Sequence, residues 1–153
     1  MDIKKILPLI TFALVLAACG EDKATKATKA ILEQAQLEYT NKHYDKALHL
    51  IDSLRKTYPQ AIEARKTALK LFQDVSLTQA QEDLERTDQQ IQKVKAEYNR
   101  MKAEADRAKR ALQATATQLQ AVTLKKIELD SLQVRFDMQC AKIKYIHKKQ
   151  KEQ

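Results

Sequence analysis

The sequence predicts an all-α protein in which a short helical hairpin is followed by a long coiled-coil helix. Glycine occurs once and proline twice in 153 residues, whereas a β-rich domain of this size needs several glycines for turns with positive φ. Alanine, leucine, lysine, glutamate and glutamine dominate instead, and these are strong helix formers. From residue 77 onward, apolar side chains recur with the heptad spacing of a coiled coil.

The heptad pattern predicts one long helix over residues 77–147. Two series with a period of seven, offset by three, form its seam: Leu77, Leu84, Ile91, Tyr98, Ala105, Leu112 and Leu119, with Ala80, Thr87, Val94, Met101, Ala108, Thr115 and Val122. Between Leu77 and Val122 a continuous helix would be about 70 Å long. Such a rod would serve as a spacer or a docking arm.

The charges beside the seam favour a parallel homodimer. In that arrangement Glu97 meets Lys102 of a second copy, and Glu104 meets its Lys109. Exposed pairs of this kind contribute only a few tenths of a kcal/mol each, so the preference is small. The alternative is an antiparallel fold-back within one chain, with a turn near residues 113–117.

The apolar repeat changes phase beyond Val122, as at a coiled-coil stutter. A helical stripe continues through Leu129, Leu132, Phe136, Cys140 and Ile143. Residues 132–140 also alternate between apolar and polar side chains, so a strand is the alternative to a helix over residues 123–146. A second apolar face would pack on the N-terminal hairpin or bind a partner; it consists of Ile127, Val134, Met138, Ala141 and Tyr145.

The segment before the heptads, residues 30–75, predicts three short helices. They are expected over residues 30–39, 44–57 and 61–75, with a break at residues 40–42. Tyr58-Pro59 stops the second helix, because proline disfavours helical geometry in the residue before it.

The first two of these helices resemble a tetratricopeptide repeat. Ala47 occupies the small position of the second helix, Tyr44 its leading aromatic position and Ile51 its large apolar position, with Pro59 as the terminal proline. Ala35 stands where the family usually has glycine. The resemblance implies protein binding rather than catalysis, and an ordinary helical hairpin is the alternative.

Residues 1–18 have the features of a cleaved export signal. Lys4 and Lys5 precede an apolar run over residues 6–18, which is shorter than the roughly 20 residues that span a bilayer as a helix. The run closes with Leu16-Ala17-Ala18-Cys19.

These four residues resemble the lipobox of bacterial lipoprotein precursors. The resemblance implies cleavage before Cys19 and a diacylglyceryl group on its sulfur. The polar residues that follow the cysteine predict a tether over residues 19–29. Two or more acyl chains hold a protein stably on a membrane. Gly20, where the inner-membrane retention signal has aspartate, favours the outer membrane over the inner membrane. A cytosolic protein with an apolar N-terminus is the alternative.

Positive charge is concentrated near the C-terminus. The chain has a net charge of +8, and residues 148–153 form a basic tail. The candidate contacts to an anionic envelope surface are Lys142, Lys144, Lys148, Lys149 and Lys151. Phospholipid or lipopolysaccharide headgroups, cell-wall polymers and acidic proteins are the expected partners of an exported chain, and nucleic acid is not. A solvated tail that aids solubility is the alternative.

The sequence contains no recognisable catalytic or cofactor motif. Its histidines, His43, His49 and His147, lack a metal-ligand spacing, so neither an enzyme nor a cofactor is expected. Cys140 is expected as a buried thiol, with an intermolecular disulfide as the alternative.

The favoured function is a lipid-anchored scaffold that docks another envelope protein, with homodimerisation as a further expectation. The alternative function is a structural tether that links the membrane to an anionic surface through the basic tail.

Overall fold

The part of the chain that the structure describes consists of four α-helices joined by short turns. A computed structural model describes the backbone of residues 7–152 and the side chains of residues 23–152. The helices are α1 (Leu7–Thr40), α2 (Tyr44–Thr57), α3 (Ile62–Arg110) and α4 (Ala116–Lys151), and the described backbone contains no strand. The all-α prediction is confirmed, and residues 123–146 are helical.

Contacts divide the chain into two compact units, Met1–Ser76 and Leu77–Gln153. The first unit contains α1, α2 and the beginning of α3. The second contains the remainder of α3 and all of α4.

The core of the first unit is formed where α1, α2 and the first turns of α3 meet. Its buried members are Ala35, Ala47, Ile51, Leu54, Ala68, Leu71 and Val75. Ala35 and Ala47 are both fully buried, and their small side chains let the helix backbones approach closely. Ile51 and Leu54 are the large side chains of α2 in this core. Complete burial of a side chain of this size contributes about 1.5–3 kcal/mol to the stability. The predicted helical hairpin is therefore confirmed.

The turn between α1 and α2 is a Schellman motif without glycine. Lys42 has a φ of 62°, in the left-handed region that normally favours glycine. Its N–H donates to Tyr39 O at 2.9 Å, and the His43 N–H donates to Glu38 O at 2.8 Å. This turn lies at the break predicted from residues 40–42, and α2 has the predicted bounds.

The second unit is an antiparallel helical hairpin. Lys125 Nζ lies 3.1 Å from Glu97 Oε2, and Arg135 Nη2 lies 3.9 Å from Asp83 Oδ1. The residue farther along α4 thus meets the residue nearer the start of α3, so the two helices run in opposite directions. On α3 the buried residues of the unit follow the predicted seam: Ala80, Thr87, Ile91, Val94 and Ala105.

The prediction of one continuous helix over residues 77–147 is wrong. α3 ends at Arg110 and α4 begins at Ala116, so the helix expected between Leu77 and Val122 is interrupted and the antiparallel fold-back is confirmed. α4 of the same chain covers the heptad seam, and Glu97 pairs with Lys125 rather than with Lys102 of a second copy. A homodimer would therefore require a different face.

Local hydrogen bonds explain why the helix breaks between α3 and α4. The Gln113 N–H donates to Ala108 O at 2.8 Å and the Leu112 N–H donates to Lys109 O at 3.0 Å, which closes α3 in a second Schellman motif. Thr115 then caps α4: its Oγ1 accepts from Gln118 N at 3.2 Å, and Gln118 Oε1 accepts from Thr115 N at 3.0 Å. This reciprocal pair is a capping box.

Three further boundaries differ from the sequence prediction. Residues 19–29, expected as a polar tether, have a helical backbone within α1. The third short helix does not end at residue 75, because α3 continues without interruption to Arg110. Residues 148–151 of the basic tail are the last turn of α4. Gly20 is the one glycine in these three segments, and none of them contains proline, which accounts for the continuous helices.

Replacing Leu112 by glycine is expected to raise the free energy of unfolding by about 1 kcal/mol. Leu112 has a φ of 57° and is 95% exposed, so the substitution relieves the left-handed strain without removing a packed side chain. Thermal unfolding followed by circular dichroism measures the effect. Ala108→Gly, inside α3, should instead lower the stability by about 1 kcal/mol. A decrease for Leu112→Gly would contradict the left-handed turn.

Candidate functional site

The first unit contains an open groove among its described residues. It has a volume of about 720 Å³ and lies between α1 and the turn that joins α2 to α3. Its walls are Ala24, Thr25 and Thr28 on one side and residues 57–64 on the other. Ile62 remains 63% exposed there. The Thr28 hydroxyl donates to Ala24 O at 2.9 Å. Apolar atoms make up most of the groove's lining, which suits an apolar side chain of a partner.

The residues that carry the tetratricopeptide resemblance are structural. Ala35, Ala47 and Ile51 are buried in the core of the first unit. The Tyr44 ring packs on the Tyr39 ring, with centroids 6.1 Å apart. Because these side chains hold the hairpin together, they shape the groove indirectly. Pro59, the terminal proline of the resemblance, is itself part of the groove wall.

The five candidate lysines lie in the last three turns of α4 but do not form one row. Lys142 and Lys149, seven residues apart, share one side of the helix, and Lys144 and Lys151 share another. Lys148 lies between the second pair and Tyr145. The positive charge is therefore spread over about half of the circumference of the helix.

Glu152 partly neutralises this basic end. Its carboxylate lies 2.7 Å from Lys149 Nζ and 3.9 Å from Lys148 Nζ. The hydrogen bond and charge of Glu152 raise the pKa of Lys149, whose ammonium group also lies 5.8 Å from the centre of the Tyr145 ring. The structure gives no ion pair to Lys142, Lys144 or Lys151 within the described part of the chain. These three lysines are therefore the better candidates for an external anion.

The outward face of α4 carries a continuous row of exposed apolar side chains. Leu124, Ile127, Val134, Met138 and Tyr145 are each between 58% and 61% exposed. The sequence had identified this second face from Ile127 onward, and Leu124 extends it by one turn. The stripe through Leu129, Leu132, Phe136, Cys140 and Ile143 is half-buried, as the change of phase predicted.

Lys125 joins the two helices of the second unit electrostatically. Its Nζ donates to Glu97 Oε2 at 3.1 Å and to Glu128 Oε2 at 2.8 Å. Hydrogen bonds to Glu128 and then Glu97 raise the pKa of Lys125. The hydrogen bond from Lys125 lowers the pKa of Glu97 below its usual value of 4.5. Sequence reasoning missed this pair, because it had assigned Glu97 to a second copy.

Acidification is expected to weaken the hairpin through Glu97. The pKa of Glu97 is lower in the folded chain than in the unfolded chain. The stabilisation that ionised Glu97 gives the folded state is therefore complete above the unfolded pKa, and it is lost as the pH falls through the folded pKa. Thermal unfolding between about pH 6 and pH 3 should therefore be less pH-dependent in Glu97→Gln than in the wild type. Glu104→Gln, an exposed carboxylate farther along α3, is the control. Equal pH dependence in Glu97→Gln and wild type would contradict the bridge.

The structure describes the side chain of one of the two cysteines. The side chain of Cys19 lies outside the described residues, as do residues 1–6. Cys140 is a free, half-buried thiol on α4. Gln139, beside it, has a buried side-chain oxygen with no hydrogen-bond partner.

The described residues contain no cluster of three or more His, Cys, Asp or Glu side chains able to hold a metal ion. Within that same part of the chain, no helix combines the length and apolar character needed to cross a membrane. No protein-family model, curated protein or solved structure matches the chain.

Proposed function

We propose that this chain is a lipid-anchored envelope protein that acts as a scaffold for another protein. The open groove of the first unit is the observation that carries the docking role. It is concave, mostly apolar and formed by a well-packed helical hairpin. Small-molecule and peptide sites have this character. The resemblance of residues 16–19 to a lipobox supports attachment to a membrane, with the outer membrane favoured.

A photo-crosslinking amino acid at Ile62 tests the docking role in intact cells. Ile62 lines the groove and is 63% exposed, so a bound partner should be captured there and identified by mass spectrometry. Leu37 is also well exposed, at 55%, but lies outside the groove and serves as the matched control. Capture of one protein from Ile62 and not from Leu37 would support the scaffold. Equal products from both positions would contradict it.

The alternative function is a tether that binds an anionic envelope surface through the C-terminal lysines. The exposed Lys142, Lys144 and Lys151, which have no ion pair among the described residues, favour it. Its test replaces all five candidate lysines by glutamine. Substitution is preferable to deletion of residues 142–153, because Ile146 is only 7% exposed and its loss would disturb packing. Loss of attachment to purified cell wall or anionic vesicles would support the tether, whereas unchanged attachment with Ile62 crosslinking intact would support the scaffold.

A further inference from the structure

The apolar row on α4 has the spacing of a second coiled-coil seam. Its positions alternate at intervals of three and four residues: Leu124, Ile127, Ser131, Val134, Met138, Ala141 and Tyr145. This is an a/d pattern over three heptads, about 32 Å of helix. The seam is exposed along its whole length.

This outer seam lies on the opposite side of α4 from the surface that packs on α3. The packed surface follows Leu129, Leu132 and Phe136, which are half-buried. On a helix with 3.6 residues per turn, Ile127, Val134 and the rest of the outer row lie roughly half a turn away. Ridges at a/d spacing need a facing helix to bury them, and among the described residues of the second unit no helix covers the outer row, whose side chains are all exposed.

Side-chain size favours an antiparallel copy of the same seam as the facing helix. With the two-fold axis near residue 136, Val134 faces Met138 of the other copy and Ile127 faces its Tyr145. The two small residues, Ser131 and Ala141, then face each other. In these layers large side chains meet large ones and small meet small, which fills the layers evenly. In the end layers Leu124 faces Lys148 of the other copy, whose alkyl stem can cover it while the ammonium group stays in water.

The charges that flank the seam also suit this orientation. Glu128 and Asp130 lie beside its first half, whereas Lys142 and Lys144 lie beside its second half. In the antiparallel register Glu128 faces Lys142 of the other copy and Asp130 faces its Lys144, and each pair occurs twice. Residues of both kinds of pair have partners in their own chain. Glu128 accepts from Lys125 at 2.8 Å and Asp130 pairs with Lys126. At the axis, where like charges meet, Arg135 lies 3.9 Å from Asp83 and Asp137 accepts from Gln133 at 3.2 Å.

A parallel arrangement fits less well. It would place both lysine-rich ends together, with Lys148 facing its own copy inside the seam and Lys144 facing Lys149 of the other copy. Like charges that face each other at these positions repel, which disfavours the parallel dimer. The charges therefore favour the antiparallel orientation, because that orientation places the two basic ends far apart.

We propose that two copies of this chain associate through the outer seam of α4 in an antiparallel coiled coil centred near residue 136. The outer seam belongs to the second unit and shares no residue with the groove of the first unit. The antiparallel dimer places Lys142 and Lys144 against acidic residues of the other copy, so these lysines serve dimerisation.

Disulfide crosslinking of the full-length chain in membranes tests both the interface and its direction. Cys140 is first replaced by serine. The Cys140→Ser variant without further changes shows whether Cys19 itself forms a crosslink. In that background Ser131→Cys and Ala141→Cys are introduced together and separately, and a mild oxidant is added before non-reducing electrophoresis. The antiparallel seam predicts a dimer band for the double variant, because residue 131 faces residue 141 of the other copy.

The single variants are the matched controls. Neither should form the dimer, since each cysteine then faces serine or alanine. A strong dimer in the Ser131→Cys variant alone would indicate a parallel seam and overturn the proposal. Absence of a dimer in the double variant would overturn it as well, as would a crosslink to a different protein.

A charge within the seam provides a second test. Val134→Glu, added to the double-cysteine variant, would be buried twice in the dimer and should lower the crosslinked fraction at least about tenfold, which corresponds to about 1.4 kcal/mol. Gln89→Glu, at an exposed position on α3, should leave the fraction unchanged. Circular dichroism checks that both variants remain helical. An unchanged crosslink in Val134→Glu would contradict burial of the seam.

Discussion

Replacement of Leu54 by alanine is expected to lower the free energy of unfolding by about 3 kcal/mol. Leu54 on α2 is fully buried in the core shared by the three helices of the first unit. Truncation removes apolar contact and leaves a cavity that the surrounding helices can fill only in part. Urea unfolding followed by circular dichroism measures the loss as a lower midpoint.

Leu37→Ala is the matched control for this prediction. It removes the same atoms from a side chain that is 55% exposed on α1. The change should be under about 1 kcal/mol, since an exposed position creates no cavity. Equal losses for Leu54→Ala and Leu37→Ala would contradict the packing of the hairpin.

Replacement of Ile91 by aspartate is expected to destabilise the second unit by several kcal/mol, on the order of 3 or more. Ile91 is 8% exposed in the seam that α4 covers, so a carboxylate there would be buried among apolar neighbours without a partner. Loss of helical signal at lower temperature is the expected result.

The control for Ile91→Asp is Gln89→Asp, an exposed position two residues earlier on α3. It introduces the same side chain with the same helix propensity, but the charge stays in water, so the effect should be within about 1 kcal/mol. Tolerance of aspartate at position 91 would show that the seam is open and that α4 does not fold back.

Composition and periodicity predicted the class of fold, because a chain with one glycine and a regular apolar repeat has few alternatives to helices. They predicted α2 correctly since Pro59 and the polar residues near position 41 interrupt the pattern on either side. The break after Arg110 was harder to predict. Leu112 adopts a left-handed conformation without glycine, and the heptad register continues across the turn. The one local signal was Thr115 followed by Gln118, which forms the capping box.

The candidate binding surfaces could be predicted only in part. The second apolar face of α4 was evident from spacing, because an a/d pattern identifies a seam even before its partner is known. The groove beside Ile62 was not predicted, since it arises from the placement of α1 next to the turn between α2 and α3. Nor could sequence show that Glu152 engages Lys148 and Lys149, because the geometry of side chains in the last turn decides which lysines stay exposed.

The proposed role depends on attachment of lipid to Cys19. Metabolic labelling with a palmitate analogue measures it directly in cells that express the full chain, with Cys19→Ala as the variant and Cys140→Ala as the matched control. We expect label in the wild type and in Cys140→Ala, none in Cys19→Ala, and release of that last variant from the membrane fraction. An unlabelled, uncleaved wild-type chain in the cytosol would contradict the account.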